Sequence, residues 1–390
     1  MAPLKHEEYL AIRHFAALDG LRAIAAVMVV FSHFGGTKWH GMSGWLGVHM
    51  FFVISGYLIT TLALREEGRK GRVSLRNFYI RRAFRIMPVY YVVLGATVLM
   101  HYLRGEYTSH NVGEVLPYYL TFNNEYIAAG QIFGHSWTLA IEQKFYLVWP
   151  LLAFALGALT LGKRLTVIAT AMTLLAAALI VPFYTYGSAS YIVILIGCLL
   201  AVVLHYPRGF AVLRYLTLPV FGLVFAVAVV VVQLNTKWFL ASFGNEDVLV
   251  MTYGLAVALM LPGLFNGGPL LPLLANPVMR FIGERSYSLY LVQALTGTMI
   301  AATFPVLRIE RTATVIAVTI ASLIVADVLY RWVEVPMIGV GRDLITTLDS
   351  RKAAKTDPGA DAKSKDAKGS EDTGDSAGAE DSTELAPARA

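Results

Sequence analysis

Arg22 and His33 sit on one apolar stretch, LRAIAAVMVVFSH, while His49 opens a second, GVHMFFVISGYLIT, and Glu142 lies in a third, SWTLAIEQKFYLVWP. A charged group at bilayer depth costs roughly 3 kcal/mol or more, so it persists where it faces an interior cavity or a partner. Several such groups in one chain point to a reaction site or a transport path inside a membrane. A histidine can take a hydroxyl proton near neutral pH. A carboxylate can orient that imidazole or stabilise its cation. The cluster Arg81, Arg82 and Arg85 suits phosphate groups, which guanidinium groups bind through paired, charge-assisted hydrogen bonds. Together the set fits a phosphorylated donor at one face and a hydroxyl acceptor at the other.

The elements that must position these residues are membrane helices. The chain is 56% hydrophobic and only 15% charged, with a mean hydropathy of +0.59. That balance excludes an ordinary soluble domain. The net charge of +6 reads as loop basicity that orients helices, not as nucleic-acid binding. A bilayer core needs about 20 apolar helical residues per crossing. Ten spans are expected, at roughly 16–34, 44–64, 86–103, 137–157, 165–183, 190–206, 214–234, 247–265, 286–305 and 312–334. The fold class is therefore all-α, a polytopic membrane helix bundle. No cleavable signal precedes the first span, which is expected to act as its own insertion signal.

Basic residues gather in alternate loops. Arg65, Arg69, Lys70, Arg72, Arg76, Arg81, Arg82 and Arg85 mark one side, joined by Lys163, Arg164, Arg208, Arg214, Arg280 and Arg285. The opposite loops are poorer in them, with Arg308 and Arg311, beside Glu310, the weak point. The positive-inside rule then places both termini in the cytoplasm. The domain reading is a membrane part over 1–345 and a disordered cytoplasmic tail over 346–390. The tail is rich in Ala, Gly, Ser, Lys, Asp and Glu, and almost devoid of large apolar side chains.

On this topology His33 lies about 16 Å along the helix from Arg22. His33, His49, His135 and Glu142 come to one depth near the outer face, and the arginine cluster lies near the inner one. Each residue also has a plainer reading. His49 can be an interfacial neighbour of Trp45, His135 a loop residue, Glu142 a structural ion-pair partner, and Trp45, Trp137 and Trp149 interface anchors. Cys198 is the sole cysteine. It excludes an internal disulfide and has no nucleophile motif around it. The three histidines and Glu142 lack compact ligand spacing, so no metal is expected.

The chain resembles the integral membrane acyltransferases of acyltransferase family three, from about Phe15 to Pro336. LDGLRAIAAVMVVFSH carries that family's arginine and histidine, here Arg22 and His33. GVHMFFVISGYLIT is similar to its second-helix signature, with Phe52, Ser55 and Gly56. FYIRRAFRIMPVYY matches its basic segment through Arg82, Arg85 and Pro88, and HSWTLAIEQKFYLVWP its fourth signature through Glu142, Phe145 and Tyr146. IGERSYSLYLVQ and YRWVEVP resemble its last two helices. The family commonly has aspartate in place of His49, a second glutamate in place of Gln143, and often histidine in place of Gln293. Those departures put substrate choice in question at His49 and Gln293.

The resemblance implies O-acyl transfer, acetyl most commonly, from cytoplasmic acyl-CoA to a hydroxyl at the outer side of a bacterial inner membrane. It implies His33, Glu142 and Arg22 as catalytic residues. Arg82 and Arg85 are expected near the CoA, and Ser55, His49, Trp137 and Tyr146 complete the substrate-binding set. Acyl-CoA would be a substrate, with no bound cofactor. The expected mechanism has His33 as general base, oriented or supported by Glu142; an acyl group carried on His33 is its rival. The expected acceptor is a cell-surface or exported glycan, with a macrolide or other secondary metabolite as the alternative. A proton-coupled transporter of a lipid-linked sugar uses similar residues, but no repeated halves are visible. The tail carries no sign of an esterase-like domain, so any later step on the acceptor is expected to need another protein.

Overall fold

The protein is described by a computed structural model over residues 1–127, 131–155, 160–179, 187–307 and 311–356. It divides into two units, Met1–Gly339 and Val340–Ala390. Among the described residues there are helices and no strands. The main helices are α1 (Ala16–Phe34), α2 (Gly47–Lys70), α3 (Leu75–Leu103), α4 (Val112–Leu120), α5 (Trp137–Phe154), α6 (Leu161–Ala178), α7 (Ser188–His205), α8 (Pro219–Leu234), α9 (Glu246–Met260), α10 (Ser286–Thr303), α11 (Thr312–Leu329) and α12 (Val335–Thr356). The starts follow local chemistry. The Ser74 hydroxyl accepts the Asn77 N–H at the head of α3, and Thr160 does the same for Lys163 at the head of α6. Pro219 opens α8, where a missing N–H costs nothing.

Each of the ten expected spans contains a helix. Among the described residues seven helical stretches are long and apolar enough by themselves to cross a bilayer, or eight if Pro207–Thr217 and Pro219–Leu234, bent by 74°, form one broken span. Helices α5 and α10 are not among them. They carry Glu142, Gln143 and Lys144, and Ser286, Ser288, Gln293 and Thr296, respectively. Of these polar side chains, Glu142, Ser286, Ser288 and Gln293 help to build the interior described below. One expectation needs adjustment. Helix α12 runs on to Thr356, past position 346 where a disordered tail was expected, because Leu344, Ile345 and Leu348 continue a helix-compatible run. Arg308, Glu310 and the tail beyond Thr356 lie outside the described residues.

Among the described residues the most extensive helix contact is that of α2 with α7. A Cβ on Gly56 would stand 2.1 Å from the Ile194 carbonyl oxygen, and one on Gly197 2.2 Å from that of Val53. Two small residues facing each other let the backbones touch, the usual basis of helix association where the hydrophobic effect is weak. Gly56 thus seats one face of α2 on α7 and leaves its neighbour Ser55 to face elsewhere. Two buried apolar clusters surround this frame. One is centred on α2, α7 and α9, and the other on α3, α4, α10 and α11. Phe51 and Tyr287 pack against both, which marks the seam between them.

Replacing Gly197 by leucine should force α2 and α7 apart and cost about 3 kcal/mol or more. Gly95, with no atom near its would-be Cβ, gives a matched control. Thermal unfolding in detergent should show a large drop for Gly197→Leu and little change for Gly95→Leu. Equal melting of the two variants would remove the backbone contact as an organising feature.

Candidate active site

A cavity of about 140 Å³ lies at the seam between the clusters. Its walls come from five helices: Arg22 of α1; Phe51, Phe52, Ser55 and Leu58 of α2; Arg82, Arg85 and Ile86 of α3; Thr138, Leu139, Glu142 and Tyr146 of α5; and Ser286, Tyr287 and Tyr290 of α10. Helical period explains the choice. Thr138, Glu142 and Tyr146 are four residues apart and share one stripe of α5, and Arg82 and Arg85 are neighbours on α3. Among the described residues the lining has three guanidinium groups and one carboxylate. The Ser55 hydroxyl donates to Glu142 Oε1 at 2.9 Å. The Arg82 guanidinium lies over the Tyr146 ring, 5.4 Å from its centre, which holds the cation by its attraction to the ring face. The Tyr287 hydroxyl donates to the Ile86 carbonyl at 2.7 Å and ties α10 to α3 beside Arg85.

His33 lies outside this lining, at the far end of α1 and exposed. Eleven residues are close to three helical turns, so Arg22 and His33 point within about 20° of each other on one stripe. The imidazole Nδ1 of His33 is 3.2 Å from Gln293 Oε1, and Gln293 Nε2 donates to the Tyr290 carbonyl at 3.1 Å. That second bond assigns the amide orientation. An amide oxygen only accepts, so His33 Nδ1 is the donor of this pair, and in the neutral form of the ring the lone pair lies on Nε2. A neutral imidazole with a free, accessible Nε2 is what a general base requires.

His135 joins the two places. Its ring centre is 6.3 Å from that of His33 and 5.4 Å from that of Tyr290, which lines the cavity. Its Nε2 donates to the Leu291 carbonyl at 3.1 Å, and its own carbonyl accepts the Tyr290 hydroxyl. Burial pushes the His135 imidazole down to about 4. It therefore stays neutral near pH 7 and does not compete for a proton.

A family model described as an acyltransferase domain matches residues 15–331, which takes in every residue of the cavity. The chain belongs to acyltransferase family three. Among its relatives, a Staphylococcus aureus (strain COL) protein provisionally named an O-acetyltransferase is 28% identical, covering 84% of this chain and 58% of its own. The peptidoglycan O-acetyltransferase OatA of Listeria monocytogenes is 28% identical over 83% of this chain and 56% of its own. A Bacillus subtilis (strain 168) protein provisionally named a peptidoglycan O-acetyltransferase is also 28% identical, with 83% and 55% covered. The chain thus spans a little over half the length of these relatives. No solved structure matches it.

Within this family member the nine residues singled out from the sequence separate into groups. Arg22, Ser55, Arg82, Arg85, Glu142 and Tyr146 line the cavity, and His33 stands at the accessible end with Gln293. His49 and Trp137 do not line it. His49 is buried between Trp45 and Phe52, each 5.7 Å away centre to centre, and its Nδ1 has no hydrogen-bond partner. Trp137 lies against Phe52 at 6.3 Å. The reason is angular. His49 is about 120° around α2 from Ser55, and Trp137 about 140° around α5 from Glu142. Glu142 does not orient His33 either. Among the described residues no hydrogen bond joins them, and Gln293 holds the position next to the imidazole. Arg81 turns away from the cavity to pair with Glu66 at 2.8 Å.

Sequence reasoning missed Thr138, Tyr287, Tyr290 and Glu334. The first was legible as the residue one helical turn before Glu142. Glu334 is buried, lies in the π-helical turn Tyr330–Glu334 and accepts a hydrogen bond from Ser288 at 3.1 Å. Its charge acts on Arg85 and Arg22, so it backs the cavity from behind. Such a single wide turn often occurs at functional sites, and no residue type announces it.

The low pKa of His135 fixes a pH dependence. Between the ordinary imidazole value of about 6.5 and about 4, the unfolded chain takes up a proton that the folded chain refuses. Stability is therefore lost as the pH falls through that window. Melting temperatures of wild type and His135→Gln from pH 8 to 4 should converge as the pH falls. A constant difference across the range would place His135 in a solvated environment.

Proposed function

We propose that the chain moves an acyl group, acetyl in the first instance, from acyl-CoA at the cytoplasmic face of a bacterial inner membrane to a hydroxyl of a cell-surface or exported glycan. The observation that carries this reading is the pairing of three arginines in one cavity with a histidine base on the same stripe of α1. An excess of half-buried cations calls for an anionic ligand, and the phosphates of CoA near Arg82 and Arg85 would meet that need with bidentate contacts. The pantetheine arm is long, thin and uncharged, suited to the apolar stretch between Arg22 and His33. The names of the relatives point to acetyl as the group and to a cell-wall glycan as the acceptor class.

In the reaction His33 Nε2 takes the proton of the acceptor hydroxyl as its oxygen attacks the thioester carbon. The C–S bond breaks, an ester forms, and the proton passes to the departing thiolate to give free CoA. Gln293 holds His33 in the tautomer that can do this, and it stabilises the transient imidazolium by accepting from Nδ1–H. Glu142, fixed by Ser55, offsets part of the charge of Arg22 and Arg82.

The acyl content of surface and secreted glycans tests this. Cells would carry wild type, His33→Ala or Gln293→Leu at matched membrane levels, read by mass spectrometry and proton NMR. One O-acyl signal should vanish in His33→Ala and fall by about 10-fold or more in Gln293→Leu, in line with the usual contribution of a positioned base. An unchanged signal in His33→Ala would overturn the glycan assignment. Loss of glycan export with acylation of the remainder intact would favour a transporter.

A further inference from the structure

A second cluster of chemically capable side chains lies away from the cavity, where α3 ends and the segment leading to α4 begins. His101, Glu106 and His110 each offer one ligand atom, and these atoms lie within 4.8 Å of one another. His101 is only 8% exposed although it is an ionisable residue. Its Nδ1 is fully enclosed and sits 3.2 Å from a Glu106 carboxylate oxygen, without the alignment that a hydrogen bond needs. A buried imidazole nitrogen held this close to a carboxylate oxygen places two ligand atoms side by side.

The surroundings fit a metal. The Nδ1 of His110 lies 3.2 Å from the Glu106 carbonyl oxygen. A carbonyl can only accept, so Nδ1 carries the proton and Nε2 is left with its lone pair. Metal-binding histidines are commonly held this way, with the second ring N–H donated to a carbonyl. The two imidazoles are 4.9 Å apart centre to centre. Arg104 donates to the other carboxylate oxygen of Glu106 at 2.9 Å, which fixes the carboxylate and leaves the His101-facing oxygen available.

We infer that His101, Glu106 and His110 bind one borderline divalent cation, with zinc as the reference ion. Two imidazole nitrogens and one carboxylate oxygen form a three-ligand zinc set that leaves a fourth position for water. Mg²⁺ and Ca²⁺, which prefer all-oxygen shells, do not suit it. The site departs from the expectation of no metal and involves none of the residues to which that expectation applied. Its ligands tie the end of α3 to the segment that runs through α4 to His135, so a bound ion would fasten the chain that brings His135 beside His33. The inference does not depend on the acyl-transfer reading.

The test uses the full chain, purified in detergent with a tag free of histidine and stripped by chelator. Zn²⁺ titration with a competing chelator should give one tight equivalent, and Co²⁺ should give a visible absorption band of low-symmetry coordination. His110→Ala and Glu106→Gln should each weaken Zn²⁺ by about tenfold or more. His110 is only partly buried, so its variant should melt like the metal-free wild type, and Zn²⁺ should raise the melting temperature of wild type alone. Zinc affinity equal in wild type and both variants, or saturation by Mg²⁺ or Ca²⁺ at similar concentrations, would overturn the inference.

Discussion

Three guanidinium groups packed around one carboxylate inside an apolar bundle set the main constraint on this fold. Counting Glu334 behind the lining, cations outnumber carboxylates three to two. An uncompensated charge in such surroundings is costly, so three of the five helices around the cavity, α2, α5 and α10, supply some relief. Tyr146 offers a ring face to Arg82, Ser55 fixes Glu142, and Ser288 fixes Glu334. What remains is an opening for an anion.

Close backbone packing makes that arrangement possible. Gly56 and Gly197 let α2 and α7 touch, which fixes the rotation of α2 and turns Ser55, Phe52 and Leu58 toward the cavity. On α1 the near-integral number of turns between Arg22 and His33 puts a cation and a base on one line about 16 Å long. A carrier with a charged head and a thin acyl-bearing arm matches such a line better than a compact metabolite does. The family assignment and this geometry therefore bear on the same residues from separate directions.

Much of this was legible in the sequence. The ten apolar stretches fall on helices, and the polar residues inside them gave the depth of each group. Depth is only one of two coordinates. His49 was placed in the site because its depth was right and Trp137 was added to the substrate-binding set, yet at 100° per residue both face other neighbours. The same rule recovers Thr138 from Glu142. Which helices adjoin is not encoded by period at all, so the partnership of His33 with Gln293, 260 positions later, was visible only as a departure from a family pattern. The role given to Glu142 as the orienter of His33 failed for that reason. The wide turn at Glu334 depends on packing that no local residue type reveals.

The central claim is that His33 acts as the base on an acyl thioester whose phosphates the arginines hold. Free thiol release from acetyl-CoA, with and without a glycan acceptor, tests it in purified protein alongside direct binding of the same acetyl-CoA. Acceptor-stimulated release should be abolished in His33→Ala while acetyl-CoA binding stays at the wild-type level, and Arg82→Gln should weaken that binding. Release by His33→Ala at the wild-type rate, or binding indifferent to Arg82, would contradict the account.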